Sequence, residues 1–237
     1  MDPSIFRKQV LKRYHLPAIY QINEFHGDGA YLEQSTDLIS LLVRSFEDES
    51  NFRSSDFNDV PMDILIDYIR RTHRLYLDKS LQEIEQSIEL LHGAYPAGFP
   101  LLKVLNDFYL NYKTDLIVHI RKEDERLLPY IQFLENSLKG GFNAHEYFLN
   151  RKRFSIQAFI ENHVENDSEL EEIKLRVQMY EPPLTNRFLH GVLIQQLEFF
   201  SQDLKIHGMI EDRVLIPRAL DMEHRLEAIF SKTARLN

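Results

Sequence analysis

The chain has 237 residues, with 28 lysines and arginines against 37 aspartates and glutamates, and no cysteine. A formal charge of −9 argues against a nucleic-acid-binding surface, and the missing thiols exclude disulfides, zinc fingers, thiolate iron–sulfur ligation and a cysteine nucleophile. Hydrophobic content of 43% is that of a globular domain, the start MDPSIFRKQV has no apolar leader and no run of 18 apolar residues occurs, so a soluble, cytoplasmic protein without a membrane partner is expected.

Residues 1–25 and 34–47 carry short helical patterns, such as Leu38, Leu41, Leu42 and Phe46, separated by a turn at Gly27-Asp28-Gly29. The polar stretch from Glu47 to Asp59 reads as a linker. Residues 1–60 are thus expected to form a small helical N-terminal module and linker. Ile5, Phe6, Val10, Leu11, Ile19 and Tyr20 are more apolar surface than a free tail needs, so the module should pack on the remainder or contact another protein or a second copy, as in a homodimer.

After about residue 60 the breakers concentrate in three clusters: Gly93 to Pro100, Lys139-Gly140-Gly141 and Glu181-Pro182-Pro183. Between them apolar residues recur at the helical 3-and-4 spacing. The first stretch runs through Met62, Leu65, Ile69, His73, Leu77, Leu81, Ile84, Ile88 and Leu91. The second runs through Leu105, Tyr109, Tyr112, Leu116, His119, Glu123, Leu127 and Leu134. The third takes Ile156, Phe159, His163, Asp167, Leu170, Ile173 and Val177, and the fourth Phe188, Val192, Gln195, Phe199, Ile206, Ile210, Val214 and Leu220. Short connections make neighbours antiparallel. Residues 61–237 are accordingly predicted to be all-α, an antiparallel up-down-up-down four-helix bundle.

The stripes also carry polar residues. His119 and Glu123 are i, i+4 neighbours, as are His207 and Glu211, which sets imidazole and carboxylate on one helix face within reach of one metal centre. Both pairs belong to a longer repeat, H-x3-E-D-x2-L-[LI]-P, spanning residues 119–129 and 207–217. Copies 88 residues apart imply a quasi-twofold bundle.

His73, His119, His163 and His207 follow one another at intervals of 46, 44 and 44 residues. The midpoints, 96, 141 and 185, fall in or beside the three breaker clusters, which places four imidazoles at one level of an antiparallel bundle. Two glutamates at that level would be costly buried charges without a metal. His92, His145, His190 and His224 stand 17–19 residues away, roughly 25–28 Å along a helix, and are expected at exposed or boundary positions. His15 and His26 lie outside the bundle. Asp167, one turn after His163, could ligate directly or orient a ligand. Pro129 and Pro217 should each kink or end a helix.

Imidazole and carboxylate without sulfur suit first-row metals of intermediate hardness. Two glutamates on opposite helices can each bridge two ions, with two histidines per ion. Six protein groups leave room for an oxo or hydroxo bridge and an open position. Ferritin-like carboxylate proteins use E-x-x-H, whereas the order here is H-x3-E.

At these residues the sequence resembles the hemerythrin-like family, in particular the di-iron proteins called repair of iron centres, also described as regulators of cell morphogenesis and nitric oxide signalling. The resemblance spans about residues 60–222. It implies two non-haem iron ions per chain, with His73, His119, His163 and His207 terminal and Glu123 and Glu211 bridging. Two departures bear on function: repair-type members begin with a domain carrying adjacent cysteines, absent here, and oxygen-carrying hemerythrins have a fifth histidine where this chain has Asp167.

The function the resemblance implies is a role in nitrosative or oxidative stress, supplying iron to damaged iron–sulfur clusters or protecting them, with O2, NO or peroxide as small ligands and iron–sulfur proteins as partners. Two other readings fit the same site: an O2 or NO sensor signalling through residues 1–60, favoured by the missing cysteines, and a peroxide or NO reductase.

Overall fold

Long stretches of good helix formers, with glycine and proline concentrated in a few clusters, leave little backbone free for any other state. The computed structural model describes residues 8, 10, 11, 13, 30–96, 99–162, 167–180 and 186–236. Among these every regular element is helical and there is no strand. The elements are α1 (Ala30–Glu47), α2 (Met62–Leu75), α3 (Leu81–Ala94), α4 (Pro100–Val104), α5 (Leu110–Lys122), α6 (Leu128–Asn136), α7 (Ala144–Arg153), α8 (Ile156–Asn162), α9 (Asp167–Gln178), α10 (Arg187–Ile210) and α11 (Ile216–Leu236). Five π turns link or end them, at Tyr76–Ser80, Leu105–Tyr109, Glu123–Leu127, Ser137–Gly141 and Glu211–Leu215. No helix is long and apolar enough to cross a membrane.

Packing divides the chain into two bodies. The first comprises residues 1–70, 122–163 and 206–237, the second residues 71–121 and 164–205.

In the first body α11 packs on α6, α7 and α8. The stretch expected to be a linker folds into two 3-10 turns, Glu49–Asn51 and Ser54–Phe57, and buries Phe57 and Val60. Arg218 Nη1 donates to the carbonyls of Phe57 (3.2 Å) and Val60 (2.7 Å), fixing that stretch to α11. Lys8, Val10, Leu11 and Arg13 are helical, and Val10 and Leu11 are wholly buried. The Gly27-Asp28-Gly29 turn and most of residues 1–25 lie outside the described residues.

Helix α7 is an element the periodicity did not single out. Asn143 caps it, its side-chain oxygen accepting from the N–H groups of His145 and Glu146. Ahead of it Gly140 has φ of 116°, a left-handed conformation that glycine adopts without penalty. Helix α8 is capped twice. Ser155 Oγ accepts from Ala158 N–H at 3.0 Å, and Glu223 from α11 accepts the first N–H, that of Ile156, at 3.0 Å.

The second body closes on an apolar core that includes Tyr76, Leu91, Leu101, Tyr112, Leu170, Leu193 and Phe200. Tyr109 donates to the Leu81 carbonyl at 2.6 Å, and Asn186 to the Ala94 carbonyl at 3.0 Å. In α10 the buried stripe is Leu193, Leu197, Phe200 and Leu204. This corrects the expected phase: Phe188 is 79% exposed, and Gln195 faces solvent. The other three stripes are buried largely as their spacing predicts.

Candidate metal centre

Each of the repeated H-x3-E-D motifs sits where an α-helix widens. Glu123 and Glu211 are the first residues of their π turns, and their carbonyls accept the N–H of Leu128 and Ile216, five residues on. Pro129 and Pro217 follow one residue later and bring no N–H. Of the expectation that the prolines kink or end a helix, the ending is corrected. The path continues into α6 and α11, and the irregularity is displaced one turn earlier, onto the glutamates.

Both carboxylates are buried, Glu123 to 0% and Glu211 to 2% exposure. His207 is buried one turn ahead of Glu211, with Nε2 3.6 Å from Oε2. Burial pushes the Glu211 carboxyl well above the usual carboxylate range, and the Glu123 carboxylate, then Asp212 and Asp124, push it further. The other Glu211 oxygen, Oε1, is buried with no hydrogen-bond donor. Desolvated negative charge gathered this closely is unfavourable unless a proton or a cation compensates it.

The remaining candidates fall as follows. His73 is buried and His119 half-buried. His73 and His119 belong to the second body; Glu123, His207 and Glu211 belong to the first, where one imidazole and two carboxylates offer donors of the kind a metal ion takes. His163 lies outside the described residues, as does the side chain of Asp167, which opens α9. His15 and His26 are likewise outside.

Of the histidines set aside, His145 and His224 are exposed and His92 is half-buried. His190 corrects the expectation: it is buried, and its Nε2 meets the Val177 carbonyl at 3.0 Å. It is a satisfied core residue that ties α10 to α9.

Sequence reasoning did not reach Tyr68, whose ring packs against that of His207 with centroids 6.5 Å apart. Its signal lay in the α2 stripe, where Leu65, Tyr68 and Thr72 keep the 3-and-4 spacing. Asp124 and Asp212 were visible as the second acid of each repeat.

A first-row metal fits this donor set, which pairs imidazole nitrogen with carboxylate oxygen and contains no sulfur. No family model, no curated protein and no solved structure matches the chain.

Proposed function

We propose that this chain is a non-haem di-iron protein of the hemerythrin-like, up-down-up-down four-helix-bundle type, acting in the response to nitrosative or oxidative stress. The observation that carries this reading is Glu211: a buried carboxylate, set against a second buried carboxylate and one imidazole, that no lysine or arginine among the described residues neutralises. A cation is the partner such a group lacks. The repeat that carries His119, Glu123, His207 and Glu211, and the even spacing of His73 and His163 around it, support two ions rather than one.

In this proposal His73, His119, His163 and His207 supply neutral nitrogen donors, and Glu123 and Glu211 the negative charge shared by both ions. Two bound irons would supply electrons and open coordination positions to O2, NO or peroxide. The chain's own contribution is to supply these donors and to keep bulk water from the buried glutamates. Leu127, Ile210 and Leu215 are wholly buried beside the glutamates in sequence, and Tyr68 walls His207. Supply of iron to damaged iron–sulfur clusters, or their protection, is the role in which such a site is proposed to act.

Anaerobic loading with ferrous iron, metal analysis, and stoichiometric addition of NO or O2 under optical and EPR observation test the reading. About two irons per chain and a spectrum that responds to the gas are expected. A protein that retains zinc alone, or no metal, overturns it.

A further inference from the structure

The proposed metal centre is joined by a short chain of contacts to the far N-terminal residues. Arg13 is only 6% exposed. Its guanidinium lies over two aromatic faces, that of Phe46 from α1 at 5.6 Å and that of Tyr68 from α2 at 5.7 Å. Tyr68, wholly buried, turns its ring to His207 at 6.5 Å and an interplanar angle of 44°. Arg13, Phe46, Tyr68, His207, Glu123 and Glu211 all belong to the first body.

A guanidinium is expensive to remove from water, and an apolar contact alone does not repay it. Two aromatic faces within about 6 Å do so in part, because the negative face of each ring attracts the cation. The planar group also stacks, which an ammonium cannot do. Arg13 thereby clamps the Tyr68 ring from the side of the N-terminal residues while His207 packs against that same ring. An imidazole that must present one nitrogen to a metal needs its ring plane fixed, and neighbours that fix ligand orientation govern metal affinity.

We infer that Arg13 is a positioning residue of the metal centre, acting through Tyr68 on the orientation of His207. The N-terminal residues are then part of the site's support. This inference rests on the di-iron reading above and adds to it the means by which residues 1–60 bear on the site.

The test uses the full chain and ferrous iron. Arg13→Met keeps the apolar stem and removes the planar cation, Arg13→Lys keeps a charge that cannot stack, and Arg44→Met removes an exposed arginine that pairs with Asp56. Two quantities are read: the rate at which a chelator extracts iron, and the gap between melting temperatures of loaded and iron-free protein. A merely structural role lowers both melting temperatures together and leaves the gap unchanged. Positioning shrinks the gap, because only the metal-bound form loses affinity. Arg13→Met is expected to speed extraction about three- to tenfold and narrow the gap, with Arg13→Lys between it and the parent and Arg44→Met unchanged. If Arg13→Met yields no folded protein, Arg13→Lys alone decides by the same two readings. An unchanged gap and extraction rate in the Arg13 variants overturn the inference, while a parent chain that takes up no iron overturns the di-iron reading instead.

Discussion

Glu223 and Glu211 are both buried to 2% exposure, and their surroundings solve the cost of burial in different ways. Glu223 accepts from Tyr130 Oη at 2.8 Å and from Ile156 N–H at 3.0 Å, and it faces Arg151 at 3.6 Å. All three donors gather on its Oε1, so it is a structural carboxylate. Glu211 meets one imidazole and other carboxylates. The two should respond oppositely to removal. Glu223→Ala is expected to cost about 3 kcal/mol in denaturant melts of the iron-free protein while leaving iron stoichiometry intact, because a capped helix start and a tyrosine lose their acceptor. Glu211→Ala and Glu123→Ala are expected to halve iron content or worse by metal analysis, with His92→Ala and His224→Ala matching the parent. A more modest titration belongs to Glu171. Burial pushes its carboxyl up, but Lys174 (2.7 Å) and the Ser201 hydroxyl, aided by Lys205, outweigh burial and bring it below its ordinary value. A depressed carboxylate stabilises the fold above the unfolded-state range and loses that contribution as pH falls through it. Glu171→Gln should therefore melt slightly lower than the parent near pH 7, by well under about 1 kcal/mol given its exposure, and the difference should vanish in melts near pH 3.

At the scale of elements, the two widened turns at 123–127 and 211–215 and the prolines behind them form one device. A proline in a regular helix lacks the N–H for the carbonyl four residues back and crowds that carbonyl, here those of Glu125 and Arg213. A strict α register is penalised, and the glutamates stay at the mouth of a wide turn. Pro129 and Pro217 are exposed, so replacing them disturbs no packing. Pro129→Ala and Pro217→Ala should raise the iron-free melting temperature, since alanine favours the helix by up to about 3 kcal/mol, yet lower iron retention against a chelator. A rise in both would show that the wide turns do not serve the site. The i, i+4 pairs His119–Glu123 and His207–Glu211 were legible in the sequence because their proximity is set by one helical turn alone. The phase of α10 was not: Leu189, Val192, Leu193, Ile194, Leu197, Phe199 and Phe200 ring the helix, and spacing cannot choose among several apolar faces. Helix α7 was missed because its sequence, AHEYFLNRKR, buries only Tyr147 and shows no stripe. Nor could periodicity reveal Arg13 on Tyr68, a contact made by residues far apart in the chain.

Over the whole molecule, iron should matter unequally. The second body has an apolar core of its own, whereas the first holds Glu123, His207 and Glu211 among its buried groups. Removing iron is expected to raise hydrogen exchange in the 123–127 and 211–215 turns by about 10- to 100-fold, while amides of Leu91, Leu101, Leu193 and Leu197 keep their protection within about threefold. Equal loss everywhere would show that the metal governs one cooperative unit. The order of the segments has a further consequence for how the protein is made. The first body is drawn from the beginning, the middle and the end of the chain, with pieces of the second interleaved. A ribosome delivers Tyr68 and Glu123 long before His207 and Glu211, and the acceptor that caps α8, Glu223, comes later still. Half a site must wait, wet and uncompensated, for its complement. Any ion held jointly by Glu123, His207 and Glu211, as proposed, thus has to wait until all three have been made, and a product cut short in α10 before His207 would lack two of them.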